Sequence, residues 1–198
     1  MSVFKRFLGP FSIQRIAADA VLIALYFALS LLSVELGGLK LTFASLATIL
    51  CALLYGPADG FLVGLLGAFL EQLLSKYGLT QATILWILPQ ALRGLTIGLF
   101  VMLFAKQFSV SAVLQRRRPF AFFALCIGSG LLVSALNTAV YYIDSKLFGY
   151  YEYHLIFGVL WLRLLSGMLS SLLMAMVAVP IAAGLVRARL VTPIRSKP

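Results

Sequence analysis

Apolar residues fall in long runs, broken by short polar stretches that cut the chain into six lengths suited to crossing a bilayer as helices. The first runs from about Ile16 to Val34 and ends in the polar link ELGGLK. The second, short, runs from about Leu41 to Leu54. YGPADG follows and reads as a turn, because Gly56, Pro57 and Gly60 all punctuate helices. The third, also short, runs from about Phe61 to Leu74 and is closed by SKYGLTQ. The fourth runs from about Thr83 to Phe104, with Pro89 as an expected kink. KQFSVSAVLQRRRP is a basic connector with a partly amphipathic stretch. The fifth runs from about Phe120 to Ile143 and leads into the aromatic link DSKLFGYYEYH. The sixth runs from about Leu155 to Val186, with Pro180 near its inner end.

Composition supports this reading. The 198 residues are 62% hydrophobic and 11% charged, with a mean hydropathy of +1.04. Soluble domains are about half apolar and about a quarter charged, so a water-facing surface is excluded. We expect an all-α integral membrane protein with one domain over residues 1–198. The basic start followed by an apolar stretch has no small-residue cleavage site and reads as an uncleaved first helix.

Charge sets the orientation. Lys5, Arg6, Arg15, Lys106, Arg116, Arg117, Arg118, Arg187, Arg189, Arg195 and Lys197 fall on one side, against Lys40, Lys76 and Lys146 on the other. By the positive-inside rule the first side, with both termini, is cytoplasmic. The net charge of +10 then reflects topology and anionic lipid, not nucleic acid. Cys51 and Cys126 lie in apolar runs without metal-ligand spacing and read as buried thiols, and the single His154 cannot build a metal site.

Polar groups at membrane depth carry the functional signal. On the fourth helix Trp86, Gln90 and Arg93 share a face at i, i+4 and i+7. At about 1.5 Å per residue Arg93 lies roughly 15 Å from the outer end, where it needs an acceptor, either a permanent partner or a ligand. On the fifth helix Gly130, Ser134, Asn137 and Tyr141 share a face that serves helix packing and ligand contact equally well. Gly60, Gly64, Gly67 and Glu71 share a face of the third, where the glycines read as packing and Glu71 as an outer-end carboxylate able to pair with Arg93 or Lys76. On the sixth, Arg163 reads as structural, paired with Asp144 or Glu152 or as a second cation, and Ser166, Gly167, Ser170 and Ser171 as packing. Most of these groups fall in the outer half, with no polar file reaching the inner side. A channel would need polar lining on both sides of the midplane. An outward-facing pocket for a small anionic organic molecule fits better. Ala20, Ala24 and Ala28 make an AxxxAxxxA stripe on the first helix, a common packing motif.

The layout resembles the substrate-binding S component of an energy-coupling factor (ECF) vitamin transporter. The likeness rests on AADAVLIALYFALS, ALLYGPADGFLVGLLGAFL, ILWILPQALRGLTIGLF and LLVSALNTAVYYIDSKLFG, within about Ile13 to Arg189. The resemblance implies six transmembrane helices and high-affinity binding of a vitamin from outside, in the cell membrane of a prokaryote. It implies partnership with a transmembrane scaffold subunit and two ATP-binding cassette ATPases, and release inward by toppling in the bilayer. It makes Ala20, Ala24 and Ala28 the face that docks on the scaffold. LPQALRGL and LNTAVYY look pantothenate-type, which implies that Arg93 meets a carboxylate and Asn137 an amide or hydroxyl. Trp86, Gln90, Tyr141 and Glu71 join the expected ligand site. Folate stays open if Arg163 or Lys76 supplies a second cation. A hydroxymethylpyrimidine-type or pyridoxine-type vitamin leaves Arg93 harder to explain. The chain has no GxxxxGK[ST] segment, so ATP hydrolysis falls to partners.

Two other classes compete. An intramembrane serine protease needs a membrane-depth Ser with a His partner, whereas His154 sits at a loop edge and no GxSxG elbow is present. A structural or assembly membrane protein explains the helices but not polar residues gathered in one leaflet. We therefore expect no enzymatic activity, no metal and no cofactor.

Overall fold

The computed structural model describes residues 12–36, 39–75, 78–103 and 119–188. The basic connector before residue 119, with its expected amphipathic stretch, lies largely outside these residues, as do the extreme termini.

Helix α1 spans Ile13–Leu31. The Ser12 side chain caps it by accepting from the Arg15 backbone N–H at 3.2 Å. A β-hairpin follows, β1 Ser33–Leu36 and β2 Leu39–Thr42, paired antiparallel with Ser33 opposite Thr42. Then come α2 Ser45–Leu54 and α3 Pro57–Leu73. After them come α4 Thr83–Leu103 and α5 Pro119–Leu147. A one-turn α6, Tyr153–Phe157, leads into α7 Leu160–Arg187. Among the described residues, α1, α4, α5 and α7 are long and apolar enough to cross a membrane, while α2 is a shorter apolar helix.

Several boundaries differ from the sequence reading. Glu35, Leu36, Leu39 and Lys40 of ELGGLK lie in paired strands rather than in a plain polar link, and β2 takes Leu41 and Thr42, the first residues expected of the second helix. The alternating SVEL and LKLT around Gly37-Gly38 carry a hairpin signature, which the apolar run into α2 obscured. YGPADG is a far tighter turn than expected. Gly56 alone takes a left-handed φ of 99°, and Pro57 opens α3 at its first turn, where a missing N–H costs nothing. Helix α5 runs on to Leu147, and the last segment breaks after Phe157 before α7 begins.

Glycines set the tightest packing. A Cβ on Gly94 would lie 1.9 Å from the Gly60 carbonyl oxygen, and one on Gly98 would lie 2.4 Å from the Pro57 Cα, so α3 and α4 meet backbone to backbone. On the next face of α3, a Cβ on Gly67 would enter the ring of Tyr26 from α1. The glycine stripe is therefore packing, as its spacing suggested.

The apolar core fills the half of the bundle at the Gly56 turn. There Ile49, Leu53, Ile97, Phe122, Cys126, Met174 and Ala178 join α2, α4, α5 and α7. Cys51 and Cys126 are buried and unbridged. At this end the Arg15 guanidinium pairs with Asp59 in the first turn of α3, and Arg15 Nη2 donates to the Tyr55 carbonyl at 3.3 Å. One side chain thus ties α1 to the α2–α3 turn. Ala20, Ala24 and Ala28 lie on the opposite face of α1 and are exposed.

Candidate ligand-binding site

A cavity of 370 Å³ occupies the half of the bundle nearer the hairpin. Helix α4 contributes Trp86, Gln90 and Arg93; α5 contributes Val133, Ser134, Asn137 and Tyr141; α7 contributes Arg163, Ser166, Gly167 and Ser170. Thr42, at the end of β2, completes the lining. The apolar core lies beyond it toward the Gly56 end, so among the described lining the polar groups stop where that core begins.

The α4 wall is held from behind. A Cβ on Gly64 would lie 2.5 Å from the Gln90 carbonyl oxygen, so this glycine lets α3 press directly on the turn that carries Gln90 and Arg93. Arg93 is only 6% exposed. Its Nε and the Gln90 Oε1 are both buried without a hydrogen-bond partner, and no carboxylate pairs with Arg93 among the described residues. A buried guanidinium left in this state is costly, and an anionic ligand would relieve it. The described lining contains no acidic residue.

Aromatic groups shape one side. Trp86 and Tyr141 meet edge to face with ring centroids 6.3 Å apart. The Arg163 guanidinium carbon lies 5.0 Å from the centre of the Tyr141 ring. Tyr150, in the loop after α5, meets Tyr141 in a tilted contact with ring centroids 6.1 Å apart, and its hydroxyl donates to the Asp144 carboxylate. Burial first, then this bond, push the Tyr150 pKa up to about 12, so the hydroxyl remains a donor.

Five of the six residues expected at the site, Trp86, Gln90, Arg93, Asn137 and Tyr141, thus meet around one cavity. Glu71 does not join them. It accepts from the Tyr26 hydroxyl at 3.5 Å, outside the lining. The reason is helical phase: Glu71 follows Gly67 by four residues, and the Gly67 face is turned onto α1. Sequence reasoning set aside Ser166, Gly167 and Ser170 as packing and took Arg163 as structural or as a second cation. The signal was present, since residues 163, 166, 167 and 170 repeat the i, i+3, i+4, i+7 spacing. Thr42 was hidden by its assignment to a span.

The fold is a bundle of packed apolar helices, four of the described ones long enough to cross a membrane, around a polar-lined cavity. The family described as "ECF-type riboflavin transporter, S component" matches residues 10–187, and the chain belongs to this family of transporter subunits. The fold is similar to that solved for the S component of a bacterial ECF transporter, with a TM-score of 0.51 and 16% identity over 89% of this chain and 95% of that one. No curated protein sequence matches this chain.

Proposed function

We propose that this chain is the vitamin-capturing subunit of an ECF-type importer and that its ligand is a small organic acid bearing hydroxyl and amide groups, with pantothenate the best fit. The observation that carries this reading is Arg93, buried at the cavity wall with an unpartnered Nε and no acidic residue in the described lining. A carboxylate gives the guanidinium a bidentate partner and cancels its charge in a low-dielectric site. Gln90 and Asn137 supply the amide donors and acceptors that a peptide-like link requires. At 370 Å³ the cavity is near the small end of ligand sites, about 300–1,000 Å³, which favours a compact vitamin over folate with its pteridine and two carboxylates.

In this proposal the chain has six membrane segments, α2 and α3 being the two short ones, and both termini face the cytoplasm. The cavity faces outward. The exposed face of Ala20, Ala24 and Ala28 docks on a scaffold subunit, and a pair of ATPases drives the toppling that turns the cavity inward. The host membrane is the plasma membrane of a prokaryote.

Riboflavin is the second reading. The family description and the Trp86–Tyr141 aromatic pair favour it. A neutral isoalloxazine leaves the Arg93 charge uncompensated, which is why we place it second. A thermal-shift panel of pantothenate, riboflavin, folate and pyridoxine on the purified chain decides between them. We expect stabilisation by pantothenate at micromolar concentration. Stabilisation by riboflavin alone would overturn the anionic-ligand assignment, and stabilisation by none would favour a structural membrane protein.

A further inference from the structure

The end of α5, the loop after it, α6 and the start of α7 carry an aromatic cluster outside the cavity. Tyr142 meets Tyr151 edge to face with ring centroids 5.6 Å apart, and meets Phe157 at 6.2 Å. Phe157 in turn meets Tyr153 at 5.1 Å. Lys146 joins them, its ammonium 3.8 Å from the centre of the Tyr151 ring and 5.9 Å from that of Tyr142. A cation at that distance is attracted by the ring quadrupole. The cluster is open on its outer side: Tyr142 is 39% exposed, Tyr153 59% and Phe157 37%.

Its place in the fold says what covers it. Tyr142 and Lys146 lie in the last two turns of α5, and Trp161 lies in the first turn of α7. Both helices are long and apolar enough to cross a membrane. Trp161, Leu165, Leu169 and Leu173 repeat every four residues and are all exposed, so they form one outward stripe on α7. The stripe is aliphatic along the helix, as contact with hydrocarbon requires, and aromatic at the end beside the cluster. Tyr and Trp have an apolar body and a polar tip, which suits them to the boundary between acyl chains and headgroups. A lysine stem and ammonium divide in the same way.

We infer that Tyr142, Tyr151, Tyr153, Phe157 and Trp161, with Lys146, form a collar seated in the phospholipid headgroup layer. The partner of this surface is lipid: the ring bodies meet the upper acyl chains, while the hydroxyls, the indole N–H and the Lys146 ammonium meet ester and phosphate oxygens. Tyr141, the residue before Tyr142, lines the cavity. The collar therefore fixes how deep that end of the cavity wall sits in the bilayer. The inference is independent of which ligand the cavity takes.

The test measures depth in the membrane. Tyr153→Cys, Trp161→Cys and Leu169→Cys are each made in the full chain, labelled with a nitroxide and reconstituted in phosphatidylcholine–phosphatidylglycerol vesicles. Cys51 and Cys126 are buried, so the label goes to the introduced thiol. Spin relaxation by dissolved oxygen against a water-soluble nickel chelate reports how deep each label lies. The hydrocarbon edge is about 15 Å from the midplane of a typical bilayer. We expect the labels at residues 153 and 161 to lie close to that edge, with both relaxing agents reaching them, and the label at residue 169 to lie much deeper, reached by oxygen alone. Two reporters in the collar keep the test open if one variant fails to fold. Labels at residues 153 and 161 as open to the chelate as free label in water would place the cluster outside the bilayer, on a surface for a soluble partner. Labels as deep as that at residue 169 would place it among the acyl tails. Either result overturns the collar and leaves the reading of the cavity standing.

Discussion

Gly64 on α3 faces the backbone of Gln90 on α4 so closely that a methyl group on Gly64 would lie 2.5 Å from the Gln90 carbonyl oxygen and 2.9 Å from its carbon. The contact is backbone, which cannot swing aside as a side chain does. The cavity wall on α4 is therefore positioned by a residue that lies outside the cavity.

Gly64→Val should accordingly damage binding as well as stability. Overpacking of this kind costs about 1–3 kcal/mol, and here the displacement falls on the turn bearing Gln90 and Arg93. We expect a lower unfolding temperature and at least tenfold weaker ligand binding in the folded fraction. Gly128→Ala is the matching control. Nothing lies within 4 Å of a Cβ there, and replacing a helical glycine should stabilise by about 0.5–1 kcal/mol without changing affinity.

The Arg15–Asp59 pair joins α1 to the first turn of α3, with side chains only 12% and 9% exposed. Removing one partner of a buried pair leaves the other charge stranded, at about 3–5 kcal/mol. Asp59→Asn and Arg15→Ala should each lower the unfolding temperature of the detergent-solubilised chain. A double variant lacking both charges should recover part of the loss. A double variant as unstable as the sum of the two singles would show that the ion pair itself matters little.

The exposed alanine stripe and the buried Tyr26 lie on opposite sides of α1, and in the proposed function only the stripe docks on the scaffold. Ala24→Trp should leave ligand binding to the isolated chain unchanged and impair assembly with the scaffold subunit, read by co-purification and by uptake in proteoliposomes. Loss of ligand binding with assembly intact would reverse the assignment. Wild type alone in liposomes should bind its vitamin without concentrating it.

How much of this was legible in the sequence varies with the kind of signal. Trp86, Gln90 and Arg93 were placed correctly on one wall because an arginine within an apolar helix has few alternatives and helical phase is rigid. The glycines of α3 were read correctly as packing, yet which helix each would meet was not readable. That is why Glu71 was expected with the other site residues and lies instead beside Tyr26, outside the cavity lining. The hairpin escaped because its apolar positions merge with the run that becomes α2. The Ser and Gly positions of the α7 wall escaped because at helical spacing they describe a helix contact and a polar cavity equally well, and only the packing of α4, α5 and α7 around the cavity separates the two.

The central claim is that Arg93 meets a ligand carboxylate, and a four-way binding cycle tests it most directly: wild type and Arg93→Ala, each titrated with pantothenate and with its carboxyl-amidated analogue. Loss of one partner from a buried arginine–carboxylate pair costs about 3–5 kcal/mol, which is at least a hundredfold in affinity. The account predicts that Arg93→Ala and amidation each weaken binding by that much, and that combining them costs little more than either alone. If the two losses simply add, Arg93 does not touch the carboxylate, and the assignment of the cavity to an anionic vitamin is contradicted.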